Sequence, residues 1–155
     1  CPCLVRISLV IIVKVAIMYY IKSIMKNTIF KLTEYVYYFS LLVLLILYLF
    51  PGSLIGYLLY GNLGQQPNLI SNPIGTSINH LIFFSYITIL TIIVRLRAKN
   101  ILTNYRFILF ISCVLEISHL IIPNRAFEFY DLIANFTGVV IILLLNSFIK
   151  WQKYL

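Results

Sequence analysis

Long apolar runs separated by short polar or basic clusters set the organisation of this chain. A helix needs about 20 mostly apolar residues to cross the hydrocarbon of a bilayer. Four segments meet or approach that length. The first, residues 35–50, follows Lys26 and Lys31 and ends at Pro51-Gly52, where proline cannot continue a helix. The second, 80–94, is closed by Arg95, Arg97 and Lys99. The third, 104–122, is stopped by Pro123, and the fourth, 131–149, is followed by Lys150 and Lys153. A further apolar stretch at 7–21 is short and carries Lys14 at its centre. A lone central lysine costs roughly 3 kcal/mol on insertion scales, so this stretch is the weakest candidate. Residues 54–60 are apolar and tyrosine-rich, which suits either the membrane interface or an extension of the first span beyond a kink. Residues 61–79 carry Gly, Asn, Gln, Ser and Pro without a formal charge and read as a loop. The expected fold class is all-α, an integral membrane bundle of about four transmembrane helices, with the N-terminal stretch as an extra apolar helix.

Composition strengthens that reading. Hydrophobic residues make up 62% and charged residues 10%, too few charges to cover a soluble domain. Mean hydropathy is +1.01. The net charge of +8 would suggest nucleic acid in a polar protein. Here the basic residues flank apolar runs, which is how membrane orientation is written, and no nucleic-acid partner is expected. Lys22, Lys26, Lys31, Arg95, Arg97, Lys99, Arg106, Lys150 and Lys153 all fall on one side of a four-span arrangement. Only Arg125 lies in the loops of the other side. The positive-inside rule therefore puts both termini of the four-span core in the cytoplasm and the 52–79 and 123–130 loops outside.

The cysteines form no framework: Cys1 and Cys3 are separated only by Pro2, and Cys113 lies within an apolar run. There is no Cys/His quartet with zinc spacing, so neither a metal nor a cofactor is expected. The chain opens on Cys, whereas Met25-Lys26-Asn27 reads as an initiation site before a basic flank. Residues 1–24 thus read as an upstream extension or an extra helix, and 25–155 as the membrane domain.

The polar chemistry is concentrated. Of four acidic residues, Glu116, Glu128 and Asp131 fall within sixteen positions. Glu116 and His119 share a helix face at i, i+3 spacing, with Ser112 one turn earlier. Asp131, Asn135 and Gly138 share a face of the next helix, and Ala134 with Gly138 makes a small-xxx-small pair that lets two backbones approach. At about 1.5 Å per residue, Glu116 lies roughly 9 Å inside the end of its helix and Asn135 roughly 6 Å inside the start of the next, so they can meet. Asp131 suits an N-cap or first-turn anion. Arg125 is the expected counter-charge, able to bridge two carboxylates, and His80 can join the same mouth. The same groups could equally serve as a brace that locks the helix hairpin. There is no nucleophile motif or phosphate loop, and no catalytic residue is assigned.

The ordered pattern E-x-x-Q, proline and R, then D-x-x-x-N-x-x-G resembles the VanZ-like membrane proteins. Glu116, Pro123, Arg125, Asp131, Asn135 and Gly138 carry it. The segment from Ser77 to Phe84, with His80, is similar to the family's earlier histidine-bearing span. The resemblance covers about residues 30–150. His119 stands where the family usually has Gln, which keeps a hydrogen-bonding group and adds a titratable one. The resemblance implies a small multi-pass protein of the bacterial inner membrane, in a family named for lowered susceptibility to the glycopeptide teicoplanin. The expected function is then binding or modulating an envelope lipid, a cell-wall precursor or a glycopeptide antibiotic. The outward-facing cluster of His80, Glu116, His119, Arg125, Asp131 and Asn135 would serve as the site. Two alternatives stand beside it: a membrane enzyme using Glu116 and His119 as acid and base, and a small proton-coupled transporter using Glu116.

Overall fold

The computed structural model describes residues 2–66 and 75–152, apart from the side chains of residues 2–16 and of Thr76. The described residues form five helices and no strand: α1 (Pro2–Leu49), α2 (Leu54–Tyr60), α3 (Gly75–Arg95), α4 (Tyr105–Ser118) and α5 (Phe129–Gln152). By internal contacts the chain divides into two units, residues 1–36 and 37–155. Three helical segments are long and apolar enough to cross a membrane: Ile17–Leu49, Ser77–Arg95 and Phe129–Gln152. This is a membrane protein with an all-helical fold.

α1 merges what the hydrophobic pattern divides into 7–21 and 35–50. No glycine or proline lies between Pro2 and Pro51, and lysine is a good helix former, so Lys22, Lys26 and Lys31 interrupt hydropathy without interrupting the helix. The helix stops where Pro51 removes a donor and Gly52 turns the chain at φ 85°. α2 is a separate helix and not a continuation of α1. The Ser53 hydroxyl caps it by accepting from Gly56 N at 2.9 Å, and Gly61 closes it in the left-handed conformation. Ser53 N donates to the Leu63 carbonyl at 2.7 Å, folding the following loop back over Gly56, where the Gln65 carbonyl leaves no room for a Cβ. Tyr57 to Tyr60 are exposed, as suits a helix lying at the membrane interface.

α3 starts at Gly75, inside the stretch that reads as loop, while 67–74 lie outside the described residues. Ser77 looks like a loop residue by composition, yet its hydroxyl is satisfied inside the protein by Asp131 at 2.5 Å. Thr88 and Thr91, also buried, return their hydroxyls to the carbonyls of Phe84 and Ile87. α4 is shorter than the expected 104–122. It begins after the Asn104 cap and ends at Ser118, beyond which His119, Leu120 and Ile121 bond to carbonyls three residues back. Fourteen residues span only about 21 Å, so α4 is not among the three candidate crossings.

Within residues 37–155, α3 and α5 pack most closely. An added Cβ at Gly138 would lie 2.6 Å from the Leu81 carbonyl oxygen. The closest approach enabled by the small residues is thus to α3. Residues 37–49 of α1 meet the bundle through long side chains: Tyr37 donates to the Leu102 carbonyl at 2.5 Å, and Ser40 pairs with Tyr86 at 3.0 Å. Polar groups share the interior with an apolar core, and the outside is rich in large apolar residues: Ser112, Glu116 and Asn135 are fully buried along with Phe84, Ile87 and Ile108, whereas Ile82, Ile89, Leu144 and Leu145 are exposed. In a bilayer such an outer surface contacts lipid, and buried polar groups satisfy one another.

Candidate functional site

The termini of four helices bring the polar residues together at one end of the bundle. Tyr48 comes from the last turn of α1, Ser77 and His80 from the first two turns of α3, and Glu116 with its neighbour His119 from the end of α4. Asp131 and Asn135 come from the first two turns of α5. Asp131 occupies the first turn, where an anion complements the helix dipole.

Asn135 is the hub. Its Nδ2 donates to the Ser112 carbonyl at 3.3 Å and to Glu116 Oε2 at 3.4 Å. Those bonds turn Oδ1 toward Tyr48 Oη at 2.8 Å and His80 Nδ1 at 3.2 Å. Tyr48 Oη also lies 2.6 Å from His80 Nδ1, and its ring stacks on that of His119 with centroids 5.4 Å apart. His80 faces both carboxylates: Nδ1 is 3.7 Å from Glu116 Oε2, and Nε2 is 3.4 Å from Asp131 Oδ2. The other oxygen of each carboxylate is held elsewhere. Glu116 Oε1 faces His119 Nδ1 at 3.2 Å and accepts from Glu128 N at 3.4 Å, while Asp131 Oδ1 accepts from Ser77.

Arg125 sits differently from its expected place. It makes no ion pair with Glu116 or Asp131 among the described residues. Instead Nη2 donates to the Leu47 carbonyl at 2.5 Å and Nε to the Phe50 carbonyl at 3.4 Å. The last carbonyls of a helix have no intrahelical partner, and a guanidinium there also complements the dipole. Partial burial lowers the Arg125 pKa from its ordinary value, opposed by the nearby Tyr48 and Glu116. In the same loop, loss of water raises the Glu128 carboxyl above its ordinary value. Asp131 and Glu116 add to that shift, and His80 and His119 oppose it.

A cavity of about 140 Å³ opens beside the cluster, lined by Tyr48, Leu54, Asn79, His80, His119 and Arg125. His119 Nε2 is buried and has no hydrogen-bond partner among the described residues. A second, larger hollow of about 450 Å³ lies between α3 and α5 and is mainly apolar, with Ile78, Leu81, Tyr130 and Ile133 in its wall.

The structure thus gathers His80, Glu116, His119, Asp131 and Asn135 in one buried network, with Arg125 at its rim. Ala134 and Gly138 lie on α5 below it. Tyr48 and Ser77 join the network without having been marked as site residues. Tyr48 is one of twelve tyrosines in an apolar chain, and nothing local distinguishes it. Ser77 opens the histidine-bearing segment, which is the one signal that pointed near it. Comparison with known protein families, with curated proteins and with solved structures found no match to this chain.

Proposed function

We propose that this protein is a VanZ-like component of the bacterial cell envelope that binds the polar head of an amphiphilic envelope ligand in the cavity beside the cluster. Such a ligand is a lipid, a cell-wall precursor or a glycopeptide. In this reading α4 and its following turn complete a four-span core with cytoplasmic termini, and the cavity faces outward. The observation that carries the proposal is the composition of the cavity wall. Arg125 retains N–H donors beyond the two used on α1, and His119 Nε2 is unpartnered, so an anionic or hydroxyl-rich head group would find donors and an acceptor. The apolar hollow between α3 and α5, near the same end of the bundle, suits an acyl chain.

The test is the teicoplanin susceptibility of cells expressing wild type or His119→Gln at matched levels of folded protein. The expected result is a lowered susceptibility in wild type that is weakened in the variant. Equal susceptibility with and without the wild-type protein would count against the reading. A second reading, an enzyme acting on a lipid-linked substrate, is favoured by one feature. A proton on His119 Nδ1 directed at Glu116 leaves an unpartnered lone pair on Nε2 of a residue that lines the cavity, as a general base requires. Turnover of a lipid-linked substrate by purified protein, lost in His119→Gln, would support that reading over simple binding.

A further inference from the structure

We propose that His80, Glu116 and Asp131 form a binding site for one divalent transition-metal ion of the zinc class. The three residues come from three helices, and one ligand atom from each lies within 4.8 Å of the other two. A point can be found no more than roughly 2.8 Å from three atoms so spaced, against metal bonds of about 2.0–2.2 Å to imidazole nitrogen and carboxylate oxygen. Side-chain shifts of under about 1 Å close that gap. The inference concerns these ligands alone and does not depend on what enters the cavity.

Each of the three side chains is already pinned through one atom, with another turned inward. Glu116 is held at Oε1 by Glu128 N and His119, while Oε2 accepts one bond from Asn135 Nδ2 at 3.4 Å, keeps a further lone pair and lies 3.7 Å from His80 Nδ1. Asp131 is held at Oδ1 by Ser77, which leaves Oδ2 toward His80. His80 is held at Nδ1 by Tyr48 and Asn135. Metal ligands are oriented in this way, with an imidazole bonded through one nitrogen and ligating through the other.

Proton accounting gives an independent reason. The two bonds from Asn135 Nδ2 fix its amide orientation, so Oδ1 requires donors from Tyr48 and His80. Tyr48 has one hydroxyl proton, which lies on the 2.8 Å contact with Asn135. The 2.6 Å contact between Tyr48 Oη and His80 Nδ1 then needs the proton of Nδ1. A neutral His80 consequently carries its lone pair on Nε2, 3.4 Å from Asp131 Oδ2. Two electron pairs face each other there, which calls for a cation. Arg125 directs Nε and Nη2 to the carbonyls of Phe50 and Leu47 and makes no ion pair with either carboxylate among the described residues. A proton on Nε2 would offset one carboxylate, whereas two are buried; a divalent ion offsets both. One imidazole with two carboxylates suits zinc, and water or another oxygen would complete the coordination.

The experiment uses the full chain purified in detergent, stripped with EDTA, loaded with Zn²⁺ alone and desalted. Bound zinc is counted by mass spectrometry, and its environment is read by X-ray absorption. The expected result is about one zinc per chain in a shell of oxygen and nitrogen with one imidazole. Glu116→Gln and Asp131→Asn, each checked for a wild-type circular dichroism spectrum, should bind at least about tenfold more weakly. Negligible zinc in folded wild type would overturn the proposal. So would a sulfur-containing shell, which points to the cysteines, or undiminished zinc in both variants. If neither variant folds, the wild-type stoichiometry and absorption spectrum decide alone.

Discussion

Replacing Gly138 by alanine tests how the cluster is held together. In an unconstrained helix interior the change is favourable by about 1 kcal/mol, because alanine is the better helix former. Here the new Cβ would lie 2.6 Å from the Leu81 carbonyl oxygen and 3.2 Å from both Ser85 N and Ser85 Oγ. The first contact falls short of ordinary van der Waals separation by about 0.8 Å, and its atom belongs to the α3 backbone, which cannot rotate away. α3 and α5 must move apart, and overpacking of this kind costs about 1–3 kcal/mol. The bond from Ser85 Oγ to the Gly138 carbonyl, 3.2 Å long, is strained as well and is worth about 1 kcal/mol. The net expectation is destabilisation by roughly 1–3 kcal/mol, a drop of several degrees in Tm. Because His80 directly precedes Leu81, the displacement also loosens His80 and Ser77 from Asp131. Thermal unfolding in detergent micelles provides the assay. A Tm equal to or above wild type would refute close backbone contact between α3 and α5 at this position.

Other perturbations probe separate parts of the structure. Tyr48→Phe removes a hydroxyl shared by His80 and Asn135 and should cost about 1–3 kcal/mol, since both buried partners lose a bond; Tm in micelles reads it. Arg125→Gln should destabilise by a similar amount, about 1–3 kcal/mol, through the freed Leu47 and Phe50 carbonyls, and hydrogen exchange should rise in the last turn of α1. Thr103→Ala breaks the bonds of its hydroxyl with the Ala98 carbonyl and Asn100 N, and should lower stability by about 1–2 kcal/mol with faster proteolysis confined to the 96–104 loop.

Local signals in the sequence carried some features of this fold well. Pro51-Gly52 marks the end of α1 because a missing donor and a positive φ act on the backbone wherever the chain goes. Glu116 and Asn135 meet as their depths in adjacent helices suggest, since a short connection makes helices antiparallel neighbours. What hydropathy could not show depends on partners distant in the chain. The lysines of α1 look like boundaries, yet backbone hydrogen bonding tolerates them. Asn104 and Pro123 bracket an apolar run whose last residues leave the α-helix at His119, a change of backbone bonding invisible to hydropathy. Arg125 looks like a partner for carboxylates because opposite charges attract, but the orphan carbonyls of α1 lie 75 or more positions away in sequence and win its donors. His80 converges with Glu116 and Asp131 from a third helix; its place at the outer end of its span suggests that it joins the same mouth, but no spacing rule gives the individual contacts.

The most direct measurement is the side of the membrane on which the cluster opens. In a background with Cys1, Cys3 and Cys113 replaced by serine, single cysteines are placed at Gln65, in the exposed loop after α2, and at Lys99, in the exposed loop after α3. Intact cells are treated with a membrane-impermeant maleimide. The expected result is labelling of Gln65→Cys in intact cells and of Lys99→Cys only after the membrane is opened. Labelling of Lys99→Cys alone in intact cells, or of both positions in intact cells, would contradict an outward-facing site in a membrane-spanning bundle.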